Sequence, residues 1–488
     1  MNAADSSPRS AGRIVFRGAE VIDGTGSPRF EADVVVEGGR IAELCAPGAA
    51  TGGEPIDARG LVLCPGFIDT HSHDDLLVLE HPSPHPKLSQ GVCTVVTGNC
   101  GISLAPLVTD RAPAPMDLFP PGVFRHAQFS SYLAELDAAM PALNVVPLVG
   151  HTSLRIRNMA SLERAATPEE TAAMRADEEA ALQAGAFGLS TGVYYPPARA
   201  ATTDELVRVS TPLKARRAVL AMHIRDEGDR IDAAIDEALQ VGAASGAQLV
   251  LSHHKVVGAQ NHGRTRQTLH TLEGAARQQA VCIDCYPYEA SSTMLDPERA
   301  ARVGEVLVTW SHADPSQGGR RLRDIAADWG VDLKQAAERL LPGGAIYFAM
   351  AAEDVERVLA HPLTMIGSDG LPHDAHPHPR LWGSFPRVLG HYARDRGLLP
   401  LERAVHKMTG LPASRFGLHD RGTIAQGQAA DMVLLDPATV ADTATYERPQ
   451  SAAAGITMVM VNGRIAVRDG AHLDLHAGRR LRPAWSRG

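Results

Sequence analysis

Eight times between residues 67 and 414, a short apolar run ends in small or polar residues, and a longer polar stretch usually follows. The runs are "GFIDTHSH", "TVVTGNC", "NVVPLVGH", "FGLSTG", "AVLAMHI", "AQLVLSHHK", "AVCIDCYPY" and "LTMIGSDG". Segments between them, such as "TPEETAAMRADEEAALQAG", are rich in Ala, Glu and Arg and carry Pro and Glu in the first turn of a helix. Few folds accommodate strand and helix in strict alternation, and nearly all of them contain a parallel sheet. Eight such units over about 350 residues predict an α/β fold, a TIM-type (β/α)8 barrel with additions to the basic plan of about 250 residues. The alternation breaks from about residue 290 to 348, through "VLVTWSHADPSQGGRRLRDIAADWGVDLKQAAERLLPGG", which reads as an insertion in the barrel.

Both ends of the chain have a different texture. "RIVFRGAEVIDGTG" and "EADVVVEGGRIAEL" near the start, and "AADMVLLD" and "ITMVMVNGRIAVRDG" near the end, are short alternating strands with Gly-rich or Asn-Gly turns. They predict one small β-sandwich domain assembled from residues 1–66 and 415–488, flanking a catalytic barrel at 67–414. The net charge of −9 without any basic block argues against nucleic acid as a partner. No apolar run approaches the ~20 residues needed to cross a bilayer, and the opening "MNAADSSPRSAGRIVF" lacks the apolar core of a secretory leader. The expected setting is the cytoplasm, the expected partner is a small molecule, and no oligomeric state follows from the sequence. Six cysteines in 488 residues are too sparse for a disulfide framework. Cys282 and Cys285 form a CxxC inside an apolar strand, where positions three apart face opposite sides, so joint metal binding is not expected.

Chemistry concentrates where the runs end. His71 and His73, two apart on the first strand, point the same way. Cys100 closes the second run, His223 the fifth, His253 the sixth and Asp369 the eighth. Any one of these has an unremarkable structural reading, as a capping Asp or a buried Cys. A barrel, however, gathers its strand ends around one axis, and thiolate, imidazole and carboxylate are the ligand set zinc prefers.

The strand-one motif "GFIDTHSH" and the late "GTIAQGQAADMVLLD" resemble the amidohydrolase superfamily. "TGNCG", "GLSTGVYYPP", "LSHHK", "DCYPYEASSTML" and "GSDGLPH" with "HPRLWGSFPRVLG" resemble, within it, the D-aminoacylases, which are N-acyl-D-amino-acid deacylases. The resemblance implies a tightly held zinc on Cys100, His223 and His253. His71, His73 and Asp369 would border a second, weaker metal position. The fourth run, "FGLSTG", has no lysine to be carboxylated as a metal bridge, and Cys100 would take the bridging role. The resemblance selects His253 over the adjacent His254, which strand alternation turns away.

The implied reaction is zinc-dependent hydrolysis of an N-acyl-D-amino acid. Asp369 would accept a proton from water and deliver it to the leaving amine. Lys255, Tyr286, Ser292 and Arg380 would hold the substrate carboxylate, with Tyr194 or Tyr195 lining the pocket. Selection of the D-isomer requires the carboxylate clamp, the carbonyl site and a side-chain pocket to fix three directions at the α-carbon. Arg299 and Arg302, at the head of the insertion, favour an acidic side chain such as D-glutamate over a hydrophobic one. A cyclic-amide hydrolase is the nearest rival, and a non-catalytic scaffold is opposed by the presence of every ligand-type residue. The apolar, Pro-rich "PMDLFPPGVFRHAQF" at 115–129 is a candidate pocket rim.

Overall fold

A computed structural model describes residues 12–83 and 85–486. The polar opening residues 1–11, part of the stretch read for a leader, lie outside the described residues. Eight parallel strands form the barrel: β1 (Phe67–Asp69), β2 (Val92–Thr97), β3 (Asn144–Pro147, resuming at Val149–Gly150), β4 (Gly188–Gly192), β5 (Val219–His223), β6 (Gln248–Leu251), β7 (Val281–Cys285) and β8 (Thr364–Ile366). Parallel ladders join β1 to β2 and β2 to β3, and run on without a break from Val149–Gly150 to β8. The ring closes where the Thr70 amide donates to the Ile366 carbonyl at 3.3 Å and Ser72 bridges Gly370.

Inward side chains fill the base of the barrel. Ile68, Val96, Val146, Val219, Val250 and Met365 share one buried cluster, plugged from below by Leu411, Phe416 and Leu481. Because side chains alternate along a strand, Val219 and Ala221 in that cluster place His223 on the same inward face, one layer higher. The same rule separates the CxxC cysteines. Cys282 lies in the interior cluster and Cys285 in the layer outside it, as alternation requires.

Residues from both ends of the chain share a second sheet of nine strands. Its order runs from Ala471–His472 through Arg464–Arg468, Ile456–Val461 and Met432–Leu435 to Val62–Pro65, Ile14–Val21, Phe30–Glu37 and Arg40–Cys45, with Glu54–Asp57 beside Ile14–Val21. Hydrogen bonding is continuous throughout, and Phe16, Val34, Met432 and Met458 from both ends share one core. The tail departs from the expected assignment of all of 415–488 to this sheet. The Leu481 amide donates to Val145 at 2.9 Å and Gly478 to Pro141 at 2.9 Å, so the last turns of chain return to the underside of the barrel. Residues 290–348 form a unit with its own core: a three-stranded antiparallel sheet (Ala290–Met294, Gly343–Phe348, Val306–Ser311) and three short helices.

Candidate active site

The strand ends deliver their polar residues by breaking strand geometry rather than by extending it. β1 stops at Asp69, so His71 and His73 sit in the following turn and not, as expected, on the strand. Cys100, His253 and Asp369 adopt positive φ angles of 52°, 36° and 50°, and only seven non-glycine residues do so among those described. L-residues pay of the order of 1–2 kcal/mol for this conformation, and such positions cluster at functional sites. In each case the left-handed turn swings the side chain back over the barrel mouth. Buried hydrogen bonds hold the turns in place. Asp284 accepts the His253 amide at 2.7 Å, and the Asp369 amide donates to the His71 carbonyl at 2.7 Å. Below, Lys87 bridges Asp69 at 2.8 Å and Asp74 at 3.5 Å, fully buried.

Six residues at these strand ends lie close together. Cys100 Sγ lies 3.3 Å from His71 Nε2, 3.5 Å from His223 Nδ1 and 3.5 Å from His253 Nε2. His223 Nδ1 and His253 Nε2 are 2.9 Å apart, and an oxygen of Asp369 is 3.5 Å from His71 and 3.2 Å from His73. Four donors around a tetrahedral zinc, with bonds of about 2.0–2.3 Å, stand roughly 3.5 Å from each other. The atoms of His71, Cys100, His253 and Asp369 form one group of suitable spacing, and those of His223, Glu227 and His253 a second sharing His253. The donor set therefore fits a zinc ion, with adjoining space for another.

Electrostatics agree with that fit. Burial pushes the Cys100 thiol up, but His71 and hydrogen bonds from His223 and His253 outweigh it and hold the sulfur well below its ordinary range, as a thiolate. Burial also opposes ionisation of Asp369, yet Arg380 and the adjacent histidines keep its carboxyl well below the usual range. At the end of β4 the fit is close: a Cβ on Gly192 would stand 2.0 Å from the Cys100 carbonyl oxygen, so no side chain is accommodated there.

Around this centre lie the expected substrate-binding residues. Arg380, almost wholly buried, pairs with Asp369 at 2.9 Å, donates to the Ser292 carbonyl at 3.1 Å and stacks 4.6 Å over the Tyr286 ring. Arg380 Nε, the Tyr286 hydroxyl and the Ser292 hydroxyl are buried without a hydrogen-bond partner among the described residues. Buried polar atoms are seldom left unpaired, so three together mark a place shaped for a polar ligand. Lys255 is nearby but already engaged, donating to Glu227 at 2.5 Å and lying 2.8 Å from His253 Nδ1. Tyr194 stacks on His223, with ring centroids 5.3 Å apart, and its hydroxyl accepts from Arg299 at 3.2 Å. Tyr195, the other tyrosine considered, is buried against Thr293 at 3.2 Å. Arg299 is buried, whereas Arg302 is exposed at the rim of the same cavity of about 300 Å³. His254 turns outward to Thr268 at 2.9 Å.

Two residues escaped the sequence reading. Glu227 lies 3.1 Å from His253 Nδ1 and 3.9 Å from His223 Nε2. Asp284 lies 3.4 Å from His71 Nδ1. Glu227 follows His223 by one helical turn in "HIRDEGD", and Asp284 faces inward two after Cys282. These spacings were the available signal.

The amidohydrolase family model matches residues 54–467. An N-acyl-D-aspartate deacylase from Alcaligenes xylosoxydans xylosoxydans is 52% identical over 94% of this chain and 93% of its own length. The chain is an amidohydrolase of the D-aminoacylase group. A D-aminoacylase structure with a binuclear metal centre, described by one-metal activation and second-metal attenuation, superposes with a TM-score of 0.94 at 50% identity, over 96% of this chain and 99% of that one. An N-acyl-D-glutamate deacylase from Bordetella bronchiseptica, solved with zinc and a phosphonate mimic of the tetrahedral intermediate, gives a TM-score of 0.92 at 46% identity over the same shares. Among the described residues no helix is long and apolar enough to cross a membrane.

Proposed function

We propose that this amidohydrolase hydrolyses N-acyl-D-amino acids to a carboxylate and a free D-amino acid, using zinc. The observation that carries the reading is the Cys100 sulfur, set 3.3–3.5 Å from nitrogens of three histidines, with an Asp369 oxygen 3.2–3.5 Å from His71 and His73. Cys100, His223 and His253 would hold the tight zinc, and His71, His73 and Asp369 a weaker second ion. When bound, zinc supplies a Lewis acid that acidifies water and polarises the amide carbonyl.

The protein's own groups do the rest. Asp369 takes a proton from the attacking water as its oxygen joins the carbonyl carbon. It returns that proton to the nitrogen as the C–N bond breaks, so one carboxylate serves both steps. Arg380 keeps Asp369 ionised until it receives that proton. With the unpaired Tyr286 and Ser292 hydroxyls, Arg380 also receives the substrate's α-carboxylate, its planar fork fixing orientation as well as charge. Lys255 acts chiefly on Glu227 and His253, which orients the imidazole. The division into a barrel at 67–414 and a sheet unit from both ends, and the cytoplasmic setting, belong to the same reading. Both are supported by sheet continuity and by six free cysteines.

An acidic side chain is the preferred substrate feature, supported by Arg299. Its guanidinium is buried against Ser291 at 2.9 Å, Tyr194 and the Tyr347 ring at 4.3 Å and lines the cavity beside the cluster; among the described residues it makes no direct ion pair, with Glu227 acting on it only from a distance. A buried arginine lacking an anion is costly, and a substrate carboxylate completes it. Competition between N-acetyl-D-glutamate or N-acetyl-D-aspartate and N-acetyl-D-leucine tests this choice. A strong preference for leucine contradicts it.

A further inference from the structure

Two different spaces open from the metal-ligand cluster. On one side is the cavity of about 300 Å³ bordered by Tyr194, Glu227 and Arg299. On the other is a void of about 10 Å³, room for little more than one water-sized sphere, with Cys100, Asp369 and His73 on its metal side, Ser292, Thr293 and Tyr195 on a second, and Ile102, Leu371 and Pro115 on an apolar third. A second void of about 10 Å³ shares His73, Ile102 and Leu371 with the first and is stopped by Phe119 and His373. Beyond those two rings lies an open groove of about 450 Å³, where Met116, Phe124 and Trp310 join them. The first void shares three lining residues with the second, and the second shares Phe119 and His373 with the groove, so Phe119 lies between the second void and the groove.

Phe119 packs against two neighbouring rings. Its ring is 7% exposed, with centroids 6.0 Å from His373 and 5.9 Å edge-on from Phe124. The charged groups of the site are distributed unequally. Arg299 is on the first side, and Arg380 and Tyr286 cradle Asp369. Toward Phe119 the lining is apolar at Ile102, Leu371 and Pro372 and polar at His73, His373 and Asp374. A substrate with its amide at the cluster must send its anionic half toward the arginines. Its acyl half is left with the side toward Phe119.

We propose that Phe119 sets the length of the acyl group. This rests on the deacylase reading. The small void by Cys100 admits the methyl of an acetyl group, and Phe119 with His373 bars longer chains from the groove behind. The Pro-rich rim segment, to which composition alone gave no role, thereby becomes a specificity element.

The test compares kcat/KM for N-acetyl-, N-butyryl- and N-octanoyl-D-glutamate in the zinc-loaded wild type and in Phe119→Ala, with Phe119→Leu as a milder variant. The ratio of octanoyl to acetyl turnover is read within each variant, so a partial folding defect cancels. Wild type should favour acetyl over octanoyl at least tenfold. Phe119→Ala should raise that ratio at least tenfold, with Phe119→Leu between, and octanoate should become a tighter competitive inhibitor. Octanoyl turnover in wild type within threefold of acetyl, or a ratio that Phe119→Ala leaves unchanged, overturns the assignment. If none of the three is hydrolysed but N-acetyl-D-leucine is, only the acidic preference falls and the same ratio is read on N-acetyl- and N-octanoyl-D-leucine; if N-acetyl-D-leucine is inert as well, the deacylase reading is overturned, and this inference with it.

Discussion

At the scale of single residues, the site is an arrangement of strained turns. Cys100, His253 and Asp369 each hold a left-handed backbone that glycine would adopt more easily. On the proposed mechanism each needs a side chain there, as metal ligand or as base. Asp369→Asn should therefore lower kcat by ~10²–10⁴ while zinc bound per chain stays near the wild-type level, since the amide cannot accept the proton. Near-normal turnover in that variant would remove Asp369 from the mechanism. Arg299→Met should reduce kcat/KM for N-acetyl-D-glutamate well beyond its effect on N-acetyl-D-leucine, and equal losses would make Arg299 merely structural. That Cys100, Asp369 and the four histidines beside them meet was legible in the sequence because each stands at or just past the end of an apolar run. The turns that aim them were not, because a left-handed residue has no sequence mark unless it is glycine or asparagine. Glu227 and Lys255 illustrate the other limit: their mutual pairing depends on two strand ends meeting, which spacing along the chain does not reveal.

At the scale of elements, the eight strands were legible because strands buried on both faces read as unbroken apolar runs. The insertion was legible as an interruption of that rhythm. The returning tail at 477–481 was not, since its pairing with β3 is by backbone hydrogen bonds that any sequence can make, and its one apolar anchor in the barrel base, Leu481, stands alone in a polar stretch. Helix 151–158 and helix 203–209 meet through a buried charge group with no apolar signature. His151 lies 3.0 Å from Glu205, and Arg155 also pairs with that carboxylate. Burial alone would raise the pKa of Glu205, but His151 and Arg155 draw it down to about 2 from an ordinary 4.5. A carboxylate depressed in the folded state stabilises the protein fully above its unfolded pKa. That contribution is lost as pH falls from about 4.5 toward 2, and is at most about 3 kcal/mol. Glu205→Gln should lower the thermal midpoint at pH 7 and flatten the decline of stability across that acid window. An unchanged acid profile would contradict the linkage. Gly192→Ala should also destabilise, by about 1–3 kcal/mol, because the added methyl meets the Cys100 carbonyl at 2.0 Å, and zinc content should fall with it.

At the scale of the whole molecule, a barrel concentrates ligands from distant parts of the chain, so metal and fold should be coupled. An ion bound only by the folded state stabilises it by mass action. Chelation should thus lower the unfolding temperature as well as abolish activity, and zinc should restore both; loss of activity with no thermal shift would place the metal elsewhere. The net charge of −9 repels an anionic substrate at long range, which leaves recognition to the buried arginines and makes it short-ranged. The most direct test of the account is hydrolysis of paired N-acetyl-D- and N-acetyl-L-amino acids, with zinc quantified in the same preparation. The account predicts turnover of the D-forms alone, led by D-glutamate or D-aspartate, with about one tightly held zinc per chain. Bound zinc without D-specific hydrolysis would contradict it.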